Sequence, residues 1–276
     1  KLVEMMDLRY NSAFHFILNN LFFWDYRQMV ALERWKEESG TELKQWLKVI
    51  ANFEEMSSLA IIRFDHPEWA RPDFSKRSYH FNATNLGHPL IHDDKRVCND
   101  LKFKGTGNLL IITGSNMSGK STLLRTVGIN LVLAYVGAPV CAEQLSCSIM
   151  DIYSSMRVND NLKDNISSFY AELLRVKMIV EAARRGKPML FLIDEIFKGT
   201  NAKDRHIGAE KVLRNLSKEG VMGMVSTHDM ELGNLAQEEG LNIENYHFEE
   251  SYEGNEMKFS YKLKNGVSTS SNALFL

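Results

Sequence analysis

The chain has 276 residues, 44% hydrophobic and 25% charged, which is the composition of a soluble globular protein with one large core or two modest ones. Its 33 basic and 35 acidic residues leave a net charge of −2, so the chain as a whole is not a polyanion binder, and any nucleic-acid contact falls to a local patch or to parts outside it. Three cysteines, Cys98, Cys141 and Cys147, make neither a disulfide framework nor a metal set, which fits a reducing, cytoplasmic setting.

The first residue is Lys1, no secretory pattern follows it, and the chain reads as a piece of something longer. Residues from about Val3 to Glu38 predict one long helix. Ser39 and Glu42 have capping-box spacing, which predicts a stop there and a second helix to about Phe64, ended by Pro67 and Pro72. The apolar segment Phe14 to Tyr26 is broken by His15, Asn19, Asn20 and Asp25 and is shorter than the roughly 20 residues of a membrane span, so no membrane is expected. These helices define a first domain, residues 1–75, with Trp24, Trp35 and Trp46 read as packing residues.

After Pro72 the period changes. Tyr79-His80-Phe81-Asn82 alternates like a strand and runs into Leu86-Gly87-His88-Pro89-Leu90-Ile91. Gly107-Asn108 turns the chain into Leu109–Thr113, an apolar strand. Then follow a helix to about Val136, strand material from Ser146 to Tyr153, and a helix from Ser168 to Arg185. The strand Met189–Ile193, a helix from Arg205 to Glu219, the strand Val221–Ser226 and a hairpin near Tyr246–Glu250 and Met257–Leu263 complete the chain. This alternation predicts an α/β domain over residues 76–276, with a mainly parallel sheet flanked by helices.

The run Gly114-Ser115-Asn116-Met117-Ser118-Gly119-Lys120-Ser121-Thr122, after a strand and before a helix, is the P-loop formula. Its glycines let successive amides point at phosphate oxygens, and the helix start adds its dipole. Lys120 is spaced to reach the β- and γ-phosphates of a nucleoside triphosphate, and the Ser121 hydroxyl to ligate Mg²⁺. Leu190-Phe191-Leu192-Ile193-Asp194-Glu195 delivers two carboxylates at the end of a buried strand. Asp194 would hold the metal through water, and Glu195 would orient or deprotonate the attacking water. Ser226-Thr227-His228-Asp229 ends the next strand, where His228 could donate to a γ-phosphate. Ser167 and Ser168 open a helix, which suits either an anion site or a plain N-cap.

Together Gly-x-Asn-Met-x-Gly-Lys-Ser-Thr, Ser-Ser-Phe-x-x-Glu, Asp-Glu-Ile-x-x-Gly-Thr and Thr-His, in this order, resemble the ABC-type ATPase domain of the MutS family. Gly87–Ile91 and Asn99-Asp100 extend the resemblance upstream, so that it covers residues 80 to 276. It implies an Mg²⁺-dependent ATPase of DNA mismatch repair or recombination, working as a dimer with a second copy or a related subunit. DNA would be contacted through parts mostly outside this chain. Asn116 to Thr122 would wrap the phosphates, with Ser121 and Asp194 at Mg²⁺, Glu195 as the hydrolytic carboxylate and His228 as the switch histidine. Ser167 and Ser168 would complete the partner's site, Gly199-Thr200-Asn201 and Asp204 would lie at the dimer interface, and the first helices would be a lever remnant.

The sequence departs from the family pattern at Ser115, where proline is usual, at Phe197-Lys198, and at Ser168, where threonine is usual. The adenine-stacking aromatic falls near Arg96 or Val97; a guanidinium can take that role. Phe53-Glu54-Glu55 and Phe248-Glu249-Glu250 match a mismatch-reading tripeptide only by chance, the first in a helix and the second in a peripheral strand. Two other readings are a dimerisation switch that binds ATP without significant hydrolysis and another ABC-type ATPase.

Overall fold

The structure is a computed structural model and describes Asp7 and residues 10–156, 168–197, 201–253 and 256–267. Contacts divide the chain into two units, residues 1–62 and 63–276.

In the first unit, Asn11 caps α1 (Ser12–Phe22) by accepting from Phe14 N–H at 3.3 Å. The helix ends because Phe23 takes a left-handed φ of 47°, with its N–H on Asn19 O at 3.1 Å. Asp25 fixes the corner, receiving His15 Nε2 at 3.1 Å on its carboxylate while its own N–H donates to Asn19 Oδ1 at 3.1 Å. The next helix, α2 (Trp24–Asp65), is 42 residues long. The expected helix from Val3 to Glu38 is thus broken at Phe23, and the expected stop at Ser39–Glu42 is absent. One glycine costs a helix interior about 1 kcal/mol, too little to end a helix with many turns on each side. Neither α1 nor α2 buries a residue.

In the second unit six strands form a sheet ordered β10-β9-β4-β8-β7-β6: β4 (Leu109–Thr113), β6 (Asp151–Ser155), β7 (Met189–Asp194), β8 (Met222–Ser226), β9 (Ile243–Glu253) and β10 (Glu256–Asn265). Every neighbouring pair is parallel except the β9–β10 hairpin. β4, β7 and β8 are buried at every position because both faces of the sheet are covered. Alternation sends Leu110, Ile112, Leu190 and Leu192 into one apolar cluster with Leu124, Val127 and Leu131 of α3 (Lys120–Tyr135). It sends Leu109, Ile111, Phe191 and Ile193 into the other, with Val176 and Ile179 of α4 (Ser168–Ala183) and Leu213 and Leu216 of α5 (Ala202–Lys218).

A second sheet, ordered β1-β5-β2-β3, joins the α3 cluster through Phe81, Ala83, Leu101 and Leu145. Its strands are β1 (Asp73–Phe74), β2 (Phe81–Leu86), β3 (Asn99–Lys102) and β5 (Gln144–Cys147), and apart from the parallel β1–β5 pair it is antiparallel. The α/β expectation therefore holds, but a mainly parallel sheet describes only one of two. The expected strand over Ser146–Tyr153 is two strands, β5 and β6, in different sheets. Tyr135 OH holds the crossing between them, donating to Ser148 O and accepting from Met150 N–H, each at 3.1 Å. Burial pushes that phenol up to about 12.

Candidate functional site

The loops leaving the carboxyl ends of β4, β7 and β8 meet at one edge of the parallel sheet, the usual place for a ligand in an open α/β fold. Register brings them together, since Ser226 pairs with both Ile112 and Asp194.

The loop Gly114–Gly119 runs between β4 and α3. Gly114 has φ 142°, and an added Cβ would sit 2.9 Å from Ser118 Oγ and 3.0 Å from Phe248 O. At Gly119, with φ 109°, a Cβ would meet the Tyr261 ring at 3.3 Å. Close approach and left-handed backbone explain both glycines. Met117, also left-handed at φ 64°, is exposed.

Lys120 opens α3 and is only 5% exposed. Its Nζ donates to Gly114 O at 2.8 Å and Ser115 O at 2.7 Å, so the ammonium is held inside the loop. The Ser115 and Ser118 hydroxyls are buried with no hydrogen-bond partner among the described residues. Such groups are costly to leave unpaired, and an oxyanion in the loop would satisfy them.

Ser121 Oγ and Ser226 Oγ both donate to Asp194 Oδ1, at 2.7 and 2.6 Å. This cluster of hydroxyl and carboxylate oxygens is the donor set a hard cation such as Mg²⁺ prefers. Glu195 follows, with His228 Nε2 3.1 Å from its Oε1. Asn116 to Thr122 and Glu195 line one cavity of about 770 Å³. Of the site residues expected from sequence, the fold brings Gly114 to Thr122, Asp194, Glu195 and His228 to one edge. Ser167 lies outside the described residues, as do Gly199 and Thr200, and of Ser168 only its place at the start of α4 is described. Asn201 and Asp204 cap α5 reciprocally, at 2.9 and 2.7 Å.

The cavity also takes Val97, at the expected base-stacking position, and residues that sequence reasoning missed as site residues: His88 and Asn99 from the second sheet's loops and edge, and Phe248 and Tyr261 from the hairpin. Asn99 ties these two regions together, donating to Tyr261 O at 3.0 Å and accepting Leu263 N–H at 2.7 Å. Burial lowers the His88 pKa, helped by the charges of Arg125 and Arg96, which favours the neutral ring. The expectation that Arg96 offers a stacking guanidinium is corrected. Arg96 bonds Ile91 O at 2.9 Å, pairs with Asp93 and lies 5.5 Å from the centre of the Trp69 ring. It does not line the cavity, whereas its neighbour Val97 does. Phe248, expected to be peripheral, is buried and faces the loop.

Residues 110–275 match the family model described as MutS domain V. The chain is 30% identical over 240 residues to the DNA mismatch repair protein MSH2 of Saccharomyces cerevisiae, a match covering 82% of this chain and 24% of that protein. It is 30% identical over 237 residues to the DNA mismatch repair protein MutS of Oceanobacillus iheyensis, covering 83% and 26%. It is 35% identical over 189 residues to the Endonuclease MutS2 of Lactococcus lactis, covering 68% and 24%. The chain thus spans about a quarter of the length of the curated relatives it matches.

Proposed function

The chain belongs to the MutS family, and on that premise we propose that its second unit binds and hydrolyses ATP with Mg²⁺ as an ABC-type ATPase serving DNA mismatch repair or recombination. One observation carries the reading: the glycine-rich loop holding Lys120, the Ser121–Asp194 pair and Glu195 converge on one cavity edge, though they come from two strand ends, those of β4 and β7.

In this reading the amides of residues 114–122, with the Ser115 and Ser118 hydroxyls, cradle the phosphates. Lys120 exchanges its two loop carbonyls for phosphate oxygens. Ser121 and Asp194 hold Mg²⁺, which when bound neutralises charge on the terminal phosphates. Glu195 takes a proton from the attacking water, and His228, in contact with Glu195, orients it. Tyr261 and Val97 line the remaining cavity wall where a base could lie. The protein acts as a dimer with a second copy or a related subunit, Ser167 and Ser168 of each chain completing the other's site. DNA is engaged by parts mostly outside residues 1–276, and the setting is cytoplasmic; no described helix is long and apolar enough to cross a membrane.

The test is Glu195→Gln, which keeps shape and removes the base. Nucleotide affinity should stay near the parent's while turnover falls roughly 10²–10⁴-fold. Parent-like turnover would place the base elsewhere, and a parent that binds ATP without turning it over would leave the dimerisation switch. Mixing Lys120→Ala chains with Ser167→Ala/Ser168→Ala chains should restore part of the activity if sites are shared between chains; no recovery means a site complete in one chain.

A further inference from the structure

The segment leaving β7 turns through two non-glycine residues in the left-handed region, Glu195 at φ 59° and Phe197 at φ 60°. An L side chain is crowded there, and such a turn persists only when its surroundings hold it. Upstream, Glu195 N–H is held by the carbonyl and the hydroxyl of Ser226, each at 3.1 Å. Downstream, Phe197 N–H donates to Glu172 Oε1, a carboxylate 9% exposed on α4. The Phe197 ring meets Phe169 of α4 edge-on at 6.4 Å between centroids. It also presses on Gly208 of α5, where an added Cβ would lie 2.9 Å from Cε2.

The geometry points to Glu172 as a positioning residue for Glu195: by holding Phe197 N–H from α4, it fixes the left-handed turn that aims the Glu195 carboxylate into the cavity. A charged acceptor makes this a strong, directional contact. It lies one turn into the helix that begins at Ser168, so the placement of α4 is felt at Glu195 through the Glu172–Phe197 hydrogen bond and the Phe169–Phe197 ring contact. Hydrolysis then depends on where α4 sits, while phosphate binding by the Lys120 loop does not. The inference rests on the hydrolysis reading above and adds regulation of the same site.

The experiment measures melting, nucleotide affinity and single-turnover hydrolysis for the parent chain, Glu172→Ala, Glu172→Gln and Gly208→Ala. Misplacing a reacting group by about 1 Å costs on the order of 10²-fold in rate, and that is the drop expected for Glu172→Ala, with affinity within about threefold of the parent. Glu172→Gln keeps an acceptor for Phe197 N–H and should recover part of the rate. Gly208→Ala disturbs the same turn from α5 and should also slow hydrolysis without weakening binding. If Glu172→Ala does not fold, Gly208→Ala decides, with Glu172→Gln expected to keep most of the parent's rate. A parent-like rate in Glu172→Ala or in Gly208→Ala, a Glu172→Gln rate no better than that of Glu172→Ala, or binding and rate lost together, overturns the role of Glu172. A parent that binds ATP yet never hydrolyses it removes the hydrolysis reading, and this inference falls with it.

Discussion

Both units carry large apolar residues, but they spend them differently. Phe14 is 49% exposed and Phe53 72% exposed in the helical unit, while Phe81 and Phe191 in the α/β unit are fully buried. Burial, not apolar content, stabilises a fold, by roughly 25 cal/mol per Å² removed from water. The α/β unit must therefore carry nearly all of the chain's resistance to unfolding, and the candidate site is mounted on its most buried strands. The helices of the first unit are held by local hydrogen bonds and caps such as those at Asn11, Phe23 and Asp25.

The sharpest way to break that contrast is a pair of phenylalanine truncations. Phe191→Ala should cost about 3–5 kcal/mol in urea unfolding, whereas Phe53→Ala should stay within roughly 0.5 kcal/mol. Equal losses would mean that the helical unit is as deeply buried as the sheet. Lys120→Ala comes next, with nucleotide binding weakened by about 1.5–3 kcal/mol, the scale of a charge-assisted contact, in a fluorescent-nucleotide titration. Overpacking gives a comparable or smaller effect. A Cβ at Gly223 would lie 2.2 Å from the Phe191 ring, so Gly223→Ala should destabilise by about 1–3 kcal/mol in the same denaturant series.

A smaller, pH-dependent effect comes from His206. Its hydrogen bond to Asp229, 2.7 Å from Nδ1, raises its pKa above the usual 6.5. The folded state then holds the proton more tightly than the unfolded one. Its contribution is complete below pH 6.5 and fades as pH rises through the folded value. His206→Gln should remove that part of the fall in urea midpoint between pH 6 and pH 8; an unchanged profile would show that the pair does not stabilise. The smallest expected effect is deletion of residues 1–62, which should leave nucleotide affinity of the remaining chain unchanged in the same titration. A large loss would bring the helical unit into the account of the site.

Much of the site was legible because its signals are local. β4, β7 and β8 are buried on both faces, so they appear as unbroken apolar runs that need no partner to be recognised. Gly114, Gly119 and Lys120 stand out by spacing alone, since a loop that curls around an anion needs glycine at set places. The same holds for Asp194 and Glu195, which directly follow their strand. The sequence by itself thus determined the α/β unit and the loop and acids at its edge. Tertiary structure decided what depends on partners distant in the chain. Tyr261 reaches the cavity through a hairpin tied to Asn99, more than a hundred residues away in sequence, and His88 through the antiparallel second sheet. Arg96 instead lies over the buried Trp69 ring and pairs with Asp93, partners that no local pattern around it reveals. The helix continued through Gly40 yet broke at Phe23, where Asn19 accepts from the freed N–H groups of Phe23 and Asp25 and a His15–Asp25 side-chain bond braces the turn, and no periodicity announces such a corner. Local patterns fix single elements, while contacts between elements choose the neighbours, and only the assembled fold could choose these.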